Sequence, residues 1–168
     1  YGGEWWTLDA ILEQVAGFGA RHVCVTGGEP LAQRACIDLL NALCDAGHSV
    51  SLETSGALDI GAVDARVSRV VDLKTPDSNE CERNRYENLD LLNPHDQLKF
   101  VLCSRADYEW AKRIVLERRL HERCTVLFSP SHRQVAPRDL AEWILADRLP
   151  VRFQLQLHKQ LWGDLPGR

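Results

Sequence analysis

A parallel α/β fold, wound as a partial or open barrel, is what this 168-residue sequence predicts. Three observations predict it. Short β-branched runs alternate with helical apolar periodicity along the chain, which argues parallel strands joined by crossover helices. Polar residues gather where most of these strands finish, the place where open α/β folds bind ligands. The last predicted strand, 151–157, puts Val151, Phe153, Leu155 and Leu157 on one face and Arg152, Gln154, Gln156 and His158 on the other. A central strand of a flat parallel sheet is apolar on both faces. This alternation therefore fits an edge strand, or a barrel wall with a polar interior; a flat doubly wound sheet is the rival.

The elements follow in order. Thr7 is placed to cap a helix on which Leu8, Ile11, Leu12, Val15 and Phe18 share a face and which Gly19 ends. Residues 21–26 form the first strand. Residues 33–46 read as a helix with Cys36, Ile37, Leu40, Leu43 and Cys44 on one side and Gly47 as its stop. A strand over 50–54 runs into Glu53-Thr54-Ser55-Gly56, and 59–65 is a short helix or turn. The third strand, 69–73, closes with Lys74-Thr75-Pro76-Asp77, and a polar loop then enters a short helix that ends near Leu92. A strand over 97–102 and a helix over 105–120 follow. The fifth strand is 125–128, and Pro137 opens a helix to about Asp147. The connections leave no room for a second domain, so 1–168 is read as one domain with an irregular tail over about 159–168.

Composition narrows the function. Hydrophobic residues are 45% and charged residues 26%, an ordinary globular balance. Net charge is −4, from 20 Lys and Arg against 24 Asp and Glu, so bulk charge gives no nucleic-acid footprint. The densest basic patch, Lys112-Arg113 with Arg118-Arg119, is interleaved with Glu109 and Glu117 and reads as a solvated helix face. No apolar run approaches the ~18 residues of a membrane span and no signal peptide opens the chain, so the cytoplasm is the default location. The 6 cysteines are widely spaced, with no CxxC or CxxxC pair. They read as reduced small hydrophobes, no metal site is predicted, and the five tryptophans read as core or interface residues.

The stretch 23–31 carries most of the functional signal. A β-branched strand runs straight into Gly27-Gly28, which lets the backbone take positive φ and lets a ligand approach the main chain. Pro30 biases Glu29 toward an extended conformation, so its carboxylate leaves the strand end in a restricted direction. Such a carboxylate suits a ligand ammonium group, or simply caps the next helix. Glu53 follows a strand whose neighbours are buried, where an unpaired carboxylate is costly. A ligand or hydrogen-bond partner is therefore expected there.

Thr26-Gly27-Gly28-Glu29-Pro30-Leu31, Leu52-Glu53-Thr54-Ser55-Gly56, Val71-Asp72-Leu73-Lys74-Thr75-Pro76 and Phe153-Gln154-Leu155-Gln156-Leu157-His158-Lys159 occur in that order. Together they resemble the 7-carboxy-7-deazaguanine synthases, radical S-adenosylmethionine (SAM) lyases of queuosine biosynthesis. The resemblance covers nearly the whole chain. It implies a partial (β/α)6-type barrel with SAM, a [4Fe-4S] cluster and Mg2+. The implied reaction converts the pterin 6-carboxy-5,6,7,8-tetrahydropterin to 7-carboxy-7-deazaguanine and ammonia, started by a 5′-deoxyadenosyl radical. It further implies a homodimer and an electron donor such as flavodoxin or ferredoxin, with neither nucleic acid nor membrane as partner. Residue by residue, SAM would meet Gly27, Gly28, Glu29, Ser55, Asp72, Leu73, Lys74, Ser129 and Pro130. The substrate would meet Thr26, Glu53, Gln156, His158 and Pro166.

The family carries its CxxxCxxC cluster motif, an Mg2+-holding Asp-Thr and a Gln-Gly-Glu-Gly segment before Gly-Gly-Glu-Trp, and Tyr1 falls just past them. The expectation is an N-terminally truncated piece lacking a first strand and cluster loop, inactive as it stands and with an exposed sheet edge. The alternatives are a degenerate module that binds a nucleoside-like ligand or a partner without turnover, and another radical SAM enzyme such as an activating enzyme.

Overall fold

The computed structural model describes residues 3–163, apart from the His158 side chain. Six parallel strands form one sheet: β1 (His22–Val25), β2 (Ser49–Thr54), β3 (Ser68–Asp72), β4 (Gln97–Leu102), β5 (Thr125–Pro130) and β6 (Arg152–Phe153). They lie in sequential order, β1-β2-β3-β4-β5-β6. A doubly wound sheet reverses direction at a switch point; this one never does. It winds one way, as a barrel wall does, and stays open between β1 and β6.

The helices are α1 (Leu8–Phe18), α2 (Cys36–Asp45), α3 (Arg105–Glu117), α4 (Pro137–Asp147) and α5 (Leu157–Trp162). The capping residues behave as their chemistry dictates. Thr7 accepts from the Ala10 amide at 3.3 Å, and Gly19 ends α1 at φ 60°. Ser104 caps α3 through the Asp107 amide at 3.1 Å, and Pro137 opens α4. Helices do not fill every crossover. Between β2 and β3 the chain makes turns only, and between β3 and β4 it makes 3-10 turns, the longest being Tyr86–Leu91. These connections still feed the core, Ile60, Val63 and Val67 from the first and Leu89 and Leu92 from the second, but they do so from turns rather than from an α-helix.

One sheet face carries the core. Val50, Leu52, Val71, Leu98, Phe100, Leu102, Val126 and Phe128 point from the strands toward Leu40 and Leu43 of α2, Tyr108, Ala111 and Val115 of α3, and Leu140 of α4. Phe128 packs edge-on against Phe100 and Tyr108, with centroids 5.4 and 5.9 Å apart. The opposite face carries Ser51, Glu53, Val70, Asp72, Gln97 and Lys99, none of them buried. The alternation expected of a barrel wall is thus present, in β2, β3 and β4.

It is not present where the sequence placed it. β6 ends at Phe153; Gln154 donates its amide to Phe128 O at 2.9 Å, and the backbone turns into α5 at Leu157. Leu155 and Leu157 therefore do not continue a strand face. Other expectations also shift. Trp110 and Trp143 pack against the core, but Trp5, Trp6 and Trp162 are exposed. Cys24 is exposed on the open face of the edge strand β1, while Cys36 and Cys124 are buried. No helix among the described residues is long and apolar enough to cross a membrane.

The amino ends of β3 and β4 are clamped by charge. Arg69 reaches Asp96 through Nε at 3.0 Å, and Asp96 also accepts the Arg69 and Asn93 amides, each at 2.8 Å. Their side chains are 6% and 0% exposed, so neither charge can fall back on water. Asp96→Ala should lower the unfolding free energy by about 3–5 kcal/mol, the cost of stranding a buried guanidinium. Urea denaturation reads this directly.

Candidate functional site

The loop after β1 folds as its sequence demands. Gly27 and Gly28 adopt φ of 103° and 59°, and a Cβ on either would meet open space. Positive φ rather than crowding requires glycine here. Glu29 is extended at φ −124°, ψ 101° ahead of Pro30.

Its carboxylate turns toward the end of β2. It accepts from Thr54 Oγ1 and the Ser55 amide, each at 2.8 Å, from the Ser55 hydroxyl, and from the Leu31 amide at 3.2 Å. Thr54 Oγ1 accepts in turn from the Gly56 amide at 3.2 Å. Glu29 therefore ties the first strand's loop to the second's. It also caps the 3-10 turn Pro30–Ala32. Behind this knot, burial and the nearby Glu29 charge push the Cys36 thiol pKa up.

Gly56 completes the knot. It sits at φ +73°, and a Cβ there would lie 2.9 Å from Val71 Cγ1. Its carbonyl accepts from Asn88 Nδ2 at 3.0 Å; Asn88, fully buried, also bonds Leu58 O and the Ile60 amide. The β3 loop has a matching anchor. Buried Asp107 accepts from Thr75 Oγ1 at 2.8 Å and from the Asp77 and Cys103 amides, each at 3.0 Å. Asn84 grips the Lys74 main chain at both its amide and its carbonyl.

Between these anchored ends lies a polar cavity of about 110 Å³ lined by Thr26, Gly28, Glu53, Thr54, Ser55, Val70, Asp72, Lys74 and Lys99. Six residues predicted from sequence converge there: Thr26, Gly28, Glu53, Ser55, Asp72 and Lys74. Lys74 Nζ pairs with Asp72 Oδ2 at 2.9 Å. Asp72 Oδ1 is buried and has no hydrogen-bond partner, a vacancy that asks for a donor.

The remaining predicted residues are placed elsewhere. Gly27 lines an adjoining hollow of about 380 Å³ with Trp5, Trp6 and Pro30. Leu73 is 1% exposed within the core and its amide donates to Lys99 O at 2.9 Å, so it does not line the cavity. Ser129 is buried in β5. Pro130 and Gln156 line a separate hollow of about 530 Å³ with His132 and Lys159. The His158 side chain and Pro166 lie outside the described residues. Three lining residues escaped the sequence reading: Thr54, Val70 and Lys99. For Lys99 the signal was present, since Leu98, Phe100 and Leu102 alternate with Gln97, Lys99 and Val101.

Among the described residues no group of three His, Cys, Asp or Glu could hold a metal. Burial raises the Cys103 thiol pKa and pushes Cys124 up to about 11. A thiol whose folded pKa lies above its unfolded value of about 9 stabilises the fold below pH 9, and that contribution fades as pH rises to about 11. Alkylation at pH 8, read by peptide mass spectrometry, should therefore label exposed Cys24 well before Cys124. Glu29→Ala, which strands the Thr54 and Ser55 donors, should cost about 1–3 kcal/mol in a urea titration. An unchanged midpoint would show that the knot carries no stability.

No protein-family model matches the chain. Individual relatives do. The chain is 46% identical over 160 residues to a 7-carboxy-7-deazaguanine synthase of Chlorobaculum tepidum, covering 94% of this chain and 73% of the relative. It is 42% identical over 176 residues to the synthase of the same name from Koribacter versatilis, covering 96% and 78%. Among solved structures, QueE from Escherichia coli superposes with a TM-score of 0.64 at 21% identity, over 90% of this chain and 64% of that one. Streptococcus suis SuiB bound to S-adenosylmethionine superposes at 0.60 and 14% identity, over 87% and 40%. At these identities the superpositions speak for the fold alone.

Proposed function

The chain belongs to the 7-carboxy-7-deazaguanine synthase family, and from that premise we propose that its polar cavity works on the family's pterin substrate beside bound SAM. The observation that carries the reading is the convergence of Thr26, Gly28, Glu53, Ser55, Asp72 and Lys74 on one cavity at the strand ends.

The residues present fit SAM on two counts. The Gly27-Gly28 main chain is open to a ligand, with nothing within 4 Å of either would-be Cβ. The unpartnered Asp72 Oδ1 needs an N–H or O–H donor. Gly27, Gly28 and Asp72 are the residues to hold it, and when bound it supplies the hydrogen-abstracting group that starts the rearrangement.

Glu29 contributes indirectly in this reading. With its carboxylate committed to Thr54, Ser55 and Leu31, it fixes the glycine loop against β2 and leaves the ligand contacts to the main chain. Thr26 and Glu53 face the substrate side. Lys74, neutralised by Asp72, orients that carboxylate. Mg2+ has no described ligand group, and the six dispersed cysteines do not fit a [4Fe-4S] cluster. No step is assigned to either. A homodimer, a small-protein electron donor and a cytoplasmic setting belong to the same proposal; six free thiols suit a reducing compartment.

The test is turnover by the full-length protein after cluster reconstitution, given SAM, Mg2+, a reductant and 6-carboxy-5,6,7,8-tetrahydropterin. Mass spectrometry should detect 7-carboxy-7-deazaguanine, with ammonia released in equal amount. Pterin binding without product, from a reconstituted and folded protein, would support a binding module instead.

A further inference from the structure

Lys99 is a side chain the family motifs do not include, and its position calls for an explanation. It rises from the centre of β4 on the open face, in register with Asp72 of β3. Glu53 rises from β2 on the same face, where its row runs through Val70 to Gln97. Two strands apart, about 9.5 Å, the side chains lean toward each other over β3. Lys99 Nζ stops 3.8 Å from Glu53 Oε2, too far for a hydrogen bond. Asp72 is no substitute, because its Oδ2 holds Lys74 Nζ at 2.9 Å. Lys99 is 19% exposed and Glu53 47%. A half-sequestered ammonium and a carboxylate thus sit side by side, each with hydrogen-bonding capacity to spare, on the wall of one cavity.

We propose that Glu53 and Lys99 together read the 2-amino-4-oxopyrimidine edge of the pterin, Lys99 donating to the 4-oxo oxygen while Glu53 accepts from the ring N–H and the 2-amino group. This rests on the function proposed above. Two features select that edge over the other end of the substrate. Its N–H, N–H, C=O sequence matches a carboxylate next to an ammonium, whereas the substrate carboxylate would meet Glu53 and Asp72 with only Lys99 uncommitted. The cavity, about 110 Å³, also takes the edge of a heterocycle rather than a whole bicycle. The edge passes unchanged into 7-carboxy-7-deazaguanine. Substrate and product are therefore held alike, and the pair sets affinity and selectivity rather than the rate of the chemical step.

Equilibrium titration of the full-length protein with 7-carboxy-7-deazaguanine tests this. Lys99→Met should weaken binding roughly ten- to hundredfold, the worth of one hydrogen bond to a charged group. Lys99→Arg should recover part of it. An analogue carrying 4-amino in place of 4-oxo should bind the parent poorly and gain relative affinity in Lys99→Gln, whose amide can accept. Unfolding midpoints of the three variants should match the parent's, which separates reading from folding. Equal product affinity in parent and Lys99→Met overturns the inference and leaves the function standing. A folded parent that binds no product overturns both.

Discussion

Helices cover one face of this sheet and leave the other open, and most of what the protein can do follows from that constraint. A parallel strand presents alternate side chains to opposite faces. With α2, α3 and α4 on one side only, each of β2, β3 and β4 had to become half apolar and half polar. Val50, Leu52 and Thr54 are buried while Ser51 and Glu53 are not; Leu98, Phe100 and Leu102 are buried while Gln97 and Lys99 are not. A one-residue register slip in any strand would send a charge into the helix layer and a leucine into the cavity. The hydrophobic core thus fixes where the site's charges stand.

The loops are held by a second device, used repeatedly. The loops after β1, β2 and β3 are each tied to a neighbouring element by a buried or part-buried polar side chain. Glu29 fastens the β1 loop to Thr54 and Ser55. Asn88 fastens the β2 loop through Gly56 and Leu58. Asp107 fastens the β3 loop through Thr75 and Asp77. Fully satisfied buried polar groups specify a single arrangement because every competing one leaves a donor or acceptor unmet. Loops so fixed can present main-chain groups to a ligand with little left to order on binding.

Much of the fold was legible. The cap Thr7, the stop Gly19 and the helix-opening Pro137 mark their boundaries by local chemistry, which tertiary context rarely overrides. The strand count was legible from β-branched runs. The missing crossover helices were harder, since a segment this short can bury a few apolar residues from a turn or a 3-10 stretch as well as from a helix. The end of the chain misled for a physical reason. Val151 to Leu157 alternates like a strand, yet only two residues find a partner on β5 before the backbone turns into a helix. Alternation measures which residues prefer a half-buried surface, not whether a neighbouring strand is there to pair. At the site, motif residues could be named but not their division of labour. Glu29 and Glu53 look equivalent as carboxylates at strand ends. Only the geometry shows the first committed to Thr54 and Ser55 and the second left open to the cavity.

That division follows from where water can reach. The Glu29 carboxylate is part-buried, and the chain supplies its donors from its own hydroxyls and amides. Asp96, fully buried at the opposite end of the sheet, receives Arg69 for the same reason. Glu53 is 47% exposed, so solvent can satisfy it until a ligand displaces that solvent. The carboxylates of Glu29, Asp96 and Asp107 are satisfied internally; on the open face Asp72 Oδ1 is left without a partner and Glu53 is left to solvent. The second kind is what a ligand can use, because exchanging water for ligand donors leaves no buried group unpaired at any stage. On that criterion Glu53 and Lys99 are the charges left open to a ligand, while Glu29, Asp96 and Asp107 are held by partners within the fold.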